Sequence, residues 1–253
     1  MGRNIFDLSG KVAVVTGANT GIGQGICVAL AEAGAEIVGA GRSDMTDTAN
    51  QVTATGAKFY PVKADLLTLD CVDNIISGAL SAAGRIDILV NNAGIIRRAD
   101  LADYTVSDWD DVMNTNIRTL FFLSQAAAKY FLENNIHGKI INIASMLSYQ
   151  GGIRVPAYTA SKSAVMGVTR AMANELAPHN INVNGIAPGY IETNNTAALR
   201  SDPKRSAEIL ARIPAGRWGK PSDIGGAAVF LASAASDYVN GTTIAVDGGW
   251  LAR

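Results

Sequence analysis

Lys11-Val-Ala-Val-Val-Thr16 is a short, β-branched apolar run, and the turn Gly17-Ala-Asn-Thr-Gly21-Ile-Gly23 follows it without a gap. The run predicts a buried strand. Gln24 to Gly34 predicts a helix, with Ile26, Leu30 and Ala33 at roughly helical spacing and Gly34 as its stop. A strand that feeds a helix through a glycine turn aims backbone N–H groups and the positive helix end at one point, which suits a phosphate. A Cβ at these glycines would block the turn or hold a pyrophosphate off the backbone. The spacing is G-x-x-x-G-x-G, which differs from the common G-x-G-x-x-G fingerprint. A tight turn with packing glycines is the plainer reading; the strand and helix around it favour a nucleotide site.

Strand and helix signals alternate along the whole chain. Strands are expected near residues 12–16, 36–40, 58–62, 86–90, 138–143, 181–186 and 243–246. Helices are expected near 22–33, 45–55, 68–83, 108–134, 157–177, 204–211 and 222–234. This alternation predicts an α/β fold: a single-domain, Rossmann-type, doubly wound parallel sheet of about seven strands, with helices on both faces. No linker, repeat or low-complexity tract divides the 253 residues, so 1–253 reads as one domain. Residues 189–220 form the irregular stretch, bounded and punctuated by Pro188, Pro203, Pro214 and Pro221, and read as a lid over substrate.

A second pattern carries chemistry. Ser145 is followed by Tyr158-Thr-Ala-Ser-Lys162, so the tyrosine and lysine stand four apart. On a helix that spacing puts both side chains on one face. A phenol has a pKa of ~10 and a lysine ammonium of ~10.4. A cation beside the phenol favours the phenolate, which makes the tyrosine a usable proton donor or acceptor near neutral pH. The serine hydroxyl can hydrogen-bond the oxygen that gains or loses that proton. Alone, a Tyr-x-x-x-Lys pair is weak; beside the glycine turn it gains meaning.

Together these motifs resemble the short-chain dehydrogenases/reductases. Thr16-Gly-x-x-x-Gly21-Ile-Gly23, Asn91-Asn-Ala-Gly94, Asn116, Ser145, Tyr158-x-x-x-Lys162 and Pro188-Gly189 occur in that family's order and spacing, over nearly the whole chain. The resemblance implies a nicotinamide dinucleotide, hydride transfer and a catalytic set of Asn116, Ser145, Tyr158 and Lys162. It implies that the dinucleotide lies against Gly17, Asn19, Thr20, Gly21, Ile22, Gly23, Arg42, Asp65, Leu66, Asn92, Ala93, Gly94, Tyr158, Lys162, Pro188, Gly189, Ile191 and Thr193. Asn91 is expected to border the adenine ribose, and Asn116 to hold a water beside the lysine. The segments Ser145 to Pro156, Pro188 to Thr196 and Ile213 to Gly219 resemble the family's bacterial sugar-acid dehydrogenases of the gluconate and 2-dehydro-3-deoxygluconate type. That likeness implies a ketone/alcohol pair on a sugar acid. A 3-oxoacyl-carrier-protein reductase or other carbonyl reductase shares the same catalytic residues and is the alternative; a non-enzymatic dinucleotide-binding protein is the more distant one.

An acid at the end of the second strand would bind a 2′-hydroxyl and select NAD, whereas an arginine accommodates a 2′-phosphate. Here Gly41-Arg42 stands at that point, so NADP is favoured. NAD stays open, with Arg42 lying over the adenine. A sugar acid needs donors for its carboxylate and hydroxyls. Arg97, Gln150, Arg154, Tyr190 and Asn194 are the substrate candidates, with Arg98 and Asn195 beside them.

Composition closes other classes. The net charge is −1 with no basic stripe, which argues against nucleic acid. No apolar run reaches the ~18–20 residues of a membrane span, and Met1 to Phe6 resembles neither a signal peptide nor a myristoylation site. Cys27 and Cys71 are the only cysteines, and no metal-ligand spacing occurs. A cytoplasmic enzyme is expected. The tail Val246 to Arg253 resembles that of family members that form homotetramers.

Overall fold

The computed structural model describes residues 4–253. Seven strands, β1 (Val12–Thr16), β2 (Glu36–Gly41), β3 (Phe59–Lys63), β4 (Ile88–Asn91), β5 (Lys139–Ile143), β6 (Asn182–Pro188) and β7 (Thr243–Val246), form one sheet. Their order is β3-β2-β1-β4-β5-β6-β7, and every neighbouring pair is parallel. The strand order reverses between β1 and β4, and ligands in open parallel sheets settle at such a switch point, outside the strands' carboxyl ends.

Side-chain alternation along the strands builds two cores. Ala13 and Val15 of β1 face one layer, with α1 (Gly21–Glu32) and α9 (Pro221–Ala232) packed through Ile26, Leu30, Ile224 and Leu231. Val12 and Val14 face the other, where α3 (Asp70–Ala83), α5 (Thr119–Glu133) and α6 (Pro156–Leu176) supply Ile75, Leu123, Phe131 and Ala173. The α1–α9 crossing is close. A Cβ on Gly225 would stand 2.5 Å from the Ala29 Cβ. α2 (Thr46–Ala54) packs against α1 and β3.

Two expected elements differ in form. The helix expected over 108–134 is α4 (Val106–Met113) and α5, joined by a π-type turn at Asn114–Arg118 that carries Asn116. The stretch 189–220 is not irregular throughout: it holds the short helices α7 (Ala197–Ser201) and α8 (Pro203–Arg212). Asp202 explains the second. Its carboxylate accepts from the backbone N–H groups of Lys204 and Arg205, and Pro203 occupies the first helical position. Trp218 and Trp250 are buried on either side of Tyr190, with ring centroids 5.4 and 4.8 Å from it. Trp109 on α4 is 41% exposed. No helix among the described residues is long and apolar enough to cross a membrane.

Candidate active site

A cavity of about 470 Å³ opens at the carboxyl ends of β1 and β4. It runs from Arg42, Ser43 and Asp65 to Ser145, Tyr158, Lys162 and Thr193. At its floor, the turn after β1 is stapled to the loop after β4. The Thr16 hydroxyl accepts from the Asn92 and Ala93 N–H groups, each at 3.0 Å. The Asn92 amide donates to the Thr16 carbonyl at 2.9 Å and to the Gly17 carbonyl at 3.2 Å. Gly17 and Gly21 take positive φ values of 66° and 58°. A Cβ on Gly23 would strike the Gly17 carbonyl oxygen and the Asn92 amide. The glycines therefore serve the turn and the close approach of two loops, and leave the helix end of α1 facing the cavity.

With the exception of Asn91, the residues assigned to the dinucleotide from sequence line this one cavity: Gly17, Asn19 to Gly23, Arg42, Asp65, Leu66, Asn92 to Gly94, Tyr158, Lys162, Pro188, Gly189, Ile191 and Thr193. Arg42 sits 3.7 Å from Asp65. Among the described residues no group of His, Cys, Asp or Glu could hold a metal ion. Asn91 departs from expectation. Its amide donates to the Ser124 hydroxyl and the Asn142 carbonyl oxygen between β4 and β5, inside the sheet and away from the cavity.

The catalytic candidates converge on α6. Ser145 stands two residues past β5, and its hydroxyl accepts from the Leu147 N–H at 3.1 Å. Ser148 binds that turn to α6 by donating to the Lys162 carbonyl at 2.6 Å. Asn116 does not line the cavity; it supports it. Its amide pairs both ways with the Ile95 backbone, at 2.8 and 3.0 Å, and donates to the Ser161 hydroxyl. Ser161 in turn donates to the Tyr158 carbonyl at 2.8 Å. Sequence reasoning gave no role to Thr16, Ser148 or Ser161. Each is a small hydroxyl residue next to a motif, and only the fold shows what it ties together.

The electrostatics are not those expected from spacing. Lys162 is buried, its Nζ donates to the Ile143 carbonyl at 2.5 Å, and it lies 5.7 Å from the Tyr158 ring centroid. Burial lowers the Lys162 ammonium to about 8. Tyr158 is pushed above the ordinary phenol value by burial, while a hydrogen bond with Ser145 and the positive charge of Arg98 pull it back. The chain's own groups thus hold Tyr158 as a neutral phenol, a proton donor. Burial thus opposes the pull toward the phenolate that a neighbouring cation exerts.

The substrate candidates divide. Arg97 and Asn194 line the cavity. Arg97 is paired with Asp111 at 2.8 Å and with Asp108 at 3.6 Å. Arg154 lies outside it, bound to Asp100 at 3.0 Å and held in a left-handed backbone conformation, φ 66°. Gln150 also lies outside, accepting from Arg212. Tyr190 lines a separate, smaller cavity of about 200 Å³. These three were placed by nearness in sequence to the catalytic serine and the proline-glycine turn, and the loops turn them away. Arg98 has no carboxylate partner among the described residues; it donates to the Asn195 carbonyl at 3.1 Å.

The chain is 65% identical to the 2-dehydro-3-deoxy-D-gluconate 5-dehydrogenase of Escherichia coli (strain K12), over 98% of this chain and 98% of that one. A family model described as enoyl-(acyl carrier protein) reductase matches residues 17–251. The chain belongs to the short-chain dehydrogenase/reductase family. Solved members of the family superpose closely. A candidate 2-deoxy-D-gluconate 3-dehydrogenase from Agrobacterium tumefaciens, with bound NADP, has a TM-score of 0.93 and 54% identity, covering 99% of this chain and 100% of that one. A candidate NAD(P)-dependent gluconate 5-dehydrogenase from Beutenbergia cavernae, with NADP at low occupancy, has a TM-score of 0.94 and 48% identity, covering 99% and 100%.

Proposed function

We propose that this chain is an NAD(P)-dependent oxidoreductase that interconverts a ketone and a secondary alcohol on a sugar acid of the 2-dehydro-3-deoxygluconate or gluconate type. The convergence of Ser145, Tyr158 and Lys162 on one end of a cavity whose other end is a glycine turn carries this reading. The relatives named for sugar-acid dehydrogenation support the substrate class.

In the reducing direction Tyr158 gives its phenol proton to the carbonyl oxygen as that oxygen gains charge. Ser145 donates a hydrogen bond to the same oxygen. Lys162, as an ammonium, stabilises the tyrosinate left behind and returns its proton. The bound dinucleotide supplies or receives the hydride. Asn116 and Ser161 keep the Ile95 loop against α6, so the groups stay in register. Residues 189–220 serve as the lid.

NADP is the favoured dinucleotide, on the strength of Arg42 and Ser43 at the cavity end and of NADP in the related structures. The chain acts in the cytoplasm as a homotetramer. Two buried, unbridged cysteines fit a reducing compartment. Exposed Phe121, Phe122 and Leu132 on α5, with Trp109 on α4, support burial between subunits. Arg98 meets the substrate carboxylate: it stands outside the cavity lining, but its charge reaches Tyr158 and, unlike Arg97 and Arg154, it holds no aspartate among the described residues.

The test is turnover of a panel of keto sugar acids, neutral ketones and carrier-bound 3-oxoacyl groups with NADPH and NADH, followed by nicotinamide absorbance. Sugar acids should exceed neutral ketones at least about tenfold in kcat/KM, roughly the worth of one charge-assisted contact. Arg98→Met should erase that margin, while Arg154→Met should keep it. Faster turnover of carrier-bound acyl groups would replace the sugar-acid reading with the acyl-carrier one. A tenfold preference for NADH would overturn the choice of NADP.

A further inference from the structure

Three buried side-chain groups lack a hydrogen-bond partner among the described residues: the hydroxyls of Thr115 and Thr159 and the indole N–H of Trp250. Of these, Thr115 alone lines the active-site cavity. It is 6% exposed and stands in the π-type turn, one residue before Asn116. A threonine inside a helix ordinarily closes its hydroxyl onto a carbonyl three or four residues back. Thr53 and Thr169 do so here, at 2.8 Å to Ala49 and 2.7 Å to Val165. Thr115 does not. A buried hydroxyl left unpaired costs on the order of 1–3 kcal/mol, and valine would fill the same space without that cost. The hydroxyl therefore points to something outside the chain.

Its position identifies the kind of group. Thr119 lies one turn further along the same face. Its hydroxyl donates to the Leu66 carbonyl at 2.9 Å. Thr115 accordingly faces the segment after β3, where Asp65, Leu66 and Leu67 line the cavity and Asp65 meets Arg42. This is the end away from the carbonyl chemistry of Ser145 and Tyr158. Leu66 and Ala93 offer apolar surface there, suited to a flat ring. A purine carries ring nitrogens that accept and an edge that donates, and a threonine hydroxyl can answer either.

We propose that the Thr115 hydroxyl hydrogen-bonds the purine base of the dinucleotide's adenosine half, as a positioning residue for the cofactor. The proposal rests on the dinucleotide reading of the cavity. It explains why a polar group is kept at a site where the free protein gains nothing from it.

The decisive measurement is the Kd of ADP-ribose and of NADPH for the full chain, with Thr115→Val and Thr115→Ser beside the wild type, and with each protein's Tm recorded free of ligand. Thr115→Val should weaken both ligands about five- to tenfold, the worth of one neutral hydrogen bond. Its free Tm should equal or exceed that of the wild type. Thr115→Ser should restore binding to within twofold. Wild-type affinity for ADP-ribose in Thr115→Val would overturn the proposal, and so would a loss of affinity that follows a lowered Tm and is not rescued by serine. If the wild type itself binds neither ligand, the dinucleotide reading fails and takes this inference with it.

Discussion

Lys162 shows how function and stability pull apart at one residue. Burial lowers its ammonium from 10.5 to about 8. Below about pH 8 both folded and unfolded chains hold that proton, and folding bears the full desolvation cost. Between about 8 and 10.5 the unfolded chain holds a proton the folded chain has lost, so stability rises with pH across that window. The difference in unfolding free energy between wild type and Lys162→Met should grow by about 3 kcal/mol from pH 8 to 10.5 in favour of the wild type. Chemical denaturation at several pH values measures it, and a flat difference would mean the ammonium is not desolvated. Tyr158→Phe should remove about 10²–10⁴ of the turnover, the usual weight of a general acid, and leave NADPH binding within a few-fold. Because burial holds Tyr158 as the phenol, carbonyl reduction should stay level through neutral pH, while alcohol oxidation climbs on the alkaline side.

The glycine turn and the π-type turn are the elements that make the site, and they differ in how far they can be read from residues. Gly17, Gly21 and Gly23 announce themselves, since little else explains glycine at that spacing between a strand and a helix. The structure adds that Gly23 is needed because a Cβ would collide with the Gly17 carbonyl and the Asn92 amide. Gly23→Ala should therefore weaken dinucleotide binding at least about tenfold and lower stability by roughly 1–3 kcal/mol, the range for overpacking a tight site. Isothermal titration and thermal melting read the two effects; an unchanged Kd would show the turn to be only a connection. The break between α4 and α5 is different. Apolar periodicity runs straight through 108–134, so it reads as one helix. The π-type turn is set by what Asn116 reaches, the Ile95 backbone and Ser161, both remote in sequence. The same holds for α8, whose cap at Asp202 is local but whose packing, Ile209 against Met146, Trp218 and Trp250, is not.

At the scale of the molecule, the sheet leaves two surfaces that a lone subunit exposes. One is the α4–α5 face with Trp109, Phe121 and Phe122; the other is β7, a part-exposed edge strand. Two distinct surfaces fit the two interfaces of a tetramer with dihedral symmetry. Light scattering should give a mass four times the 26.3 kDa chain. Phe122→Glu should split it into smaller species, since a charge on an apolar contact is costly. A monomer from the wild type would remove the tetramer proposal.

Local chemistry was enough for the fold class and the glycine turn, and the family resemblance that the motifs carry named residues that line one cavity. Those depend on periodicity and on glycine, tyrosine and lysine at short fixed spacings, which the chain carries within single elements. Spacing alone could not say which arginines are already paired with aspartates, where Asn91 points, or on which side of its usual value Tyr158 sits. Arg154 is turned out to Asp100, and Tyr158 is desolvated by burial. Burial and loop direction arise only when distant segments pack, and so only the tertiary structure decided them.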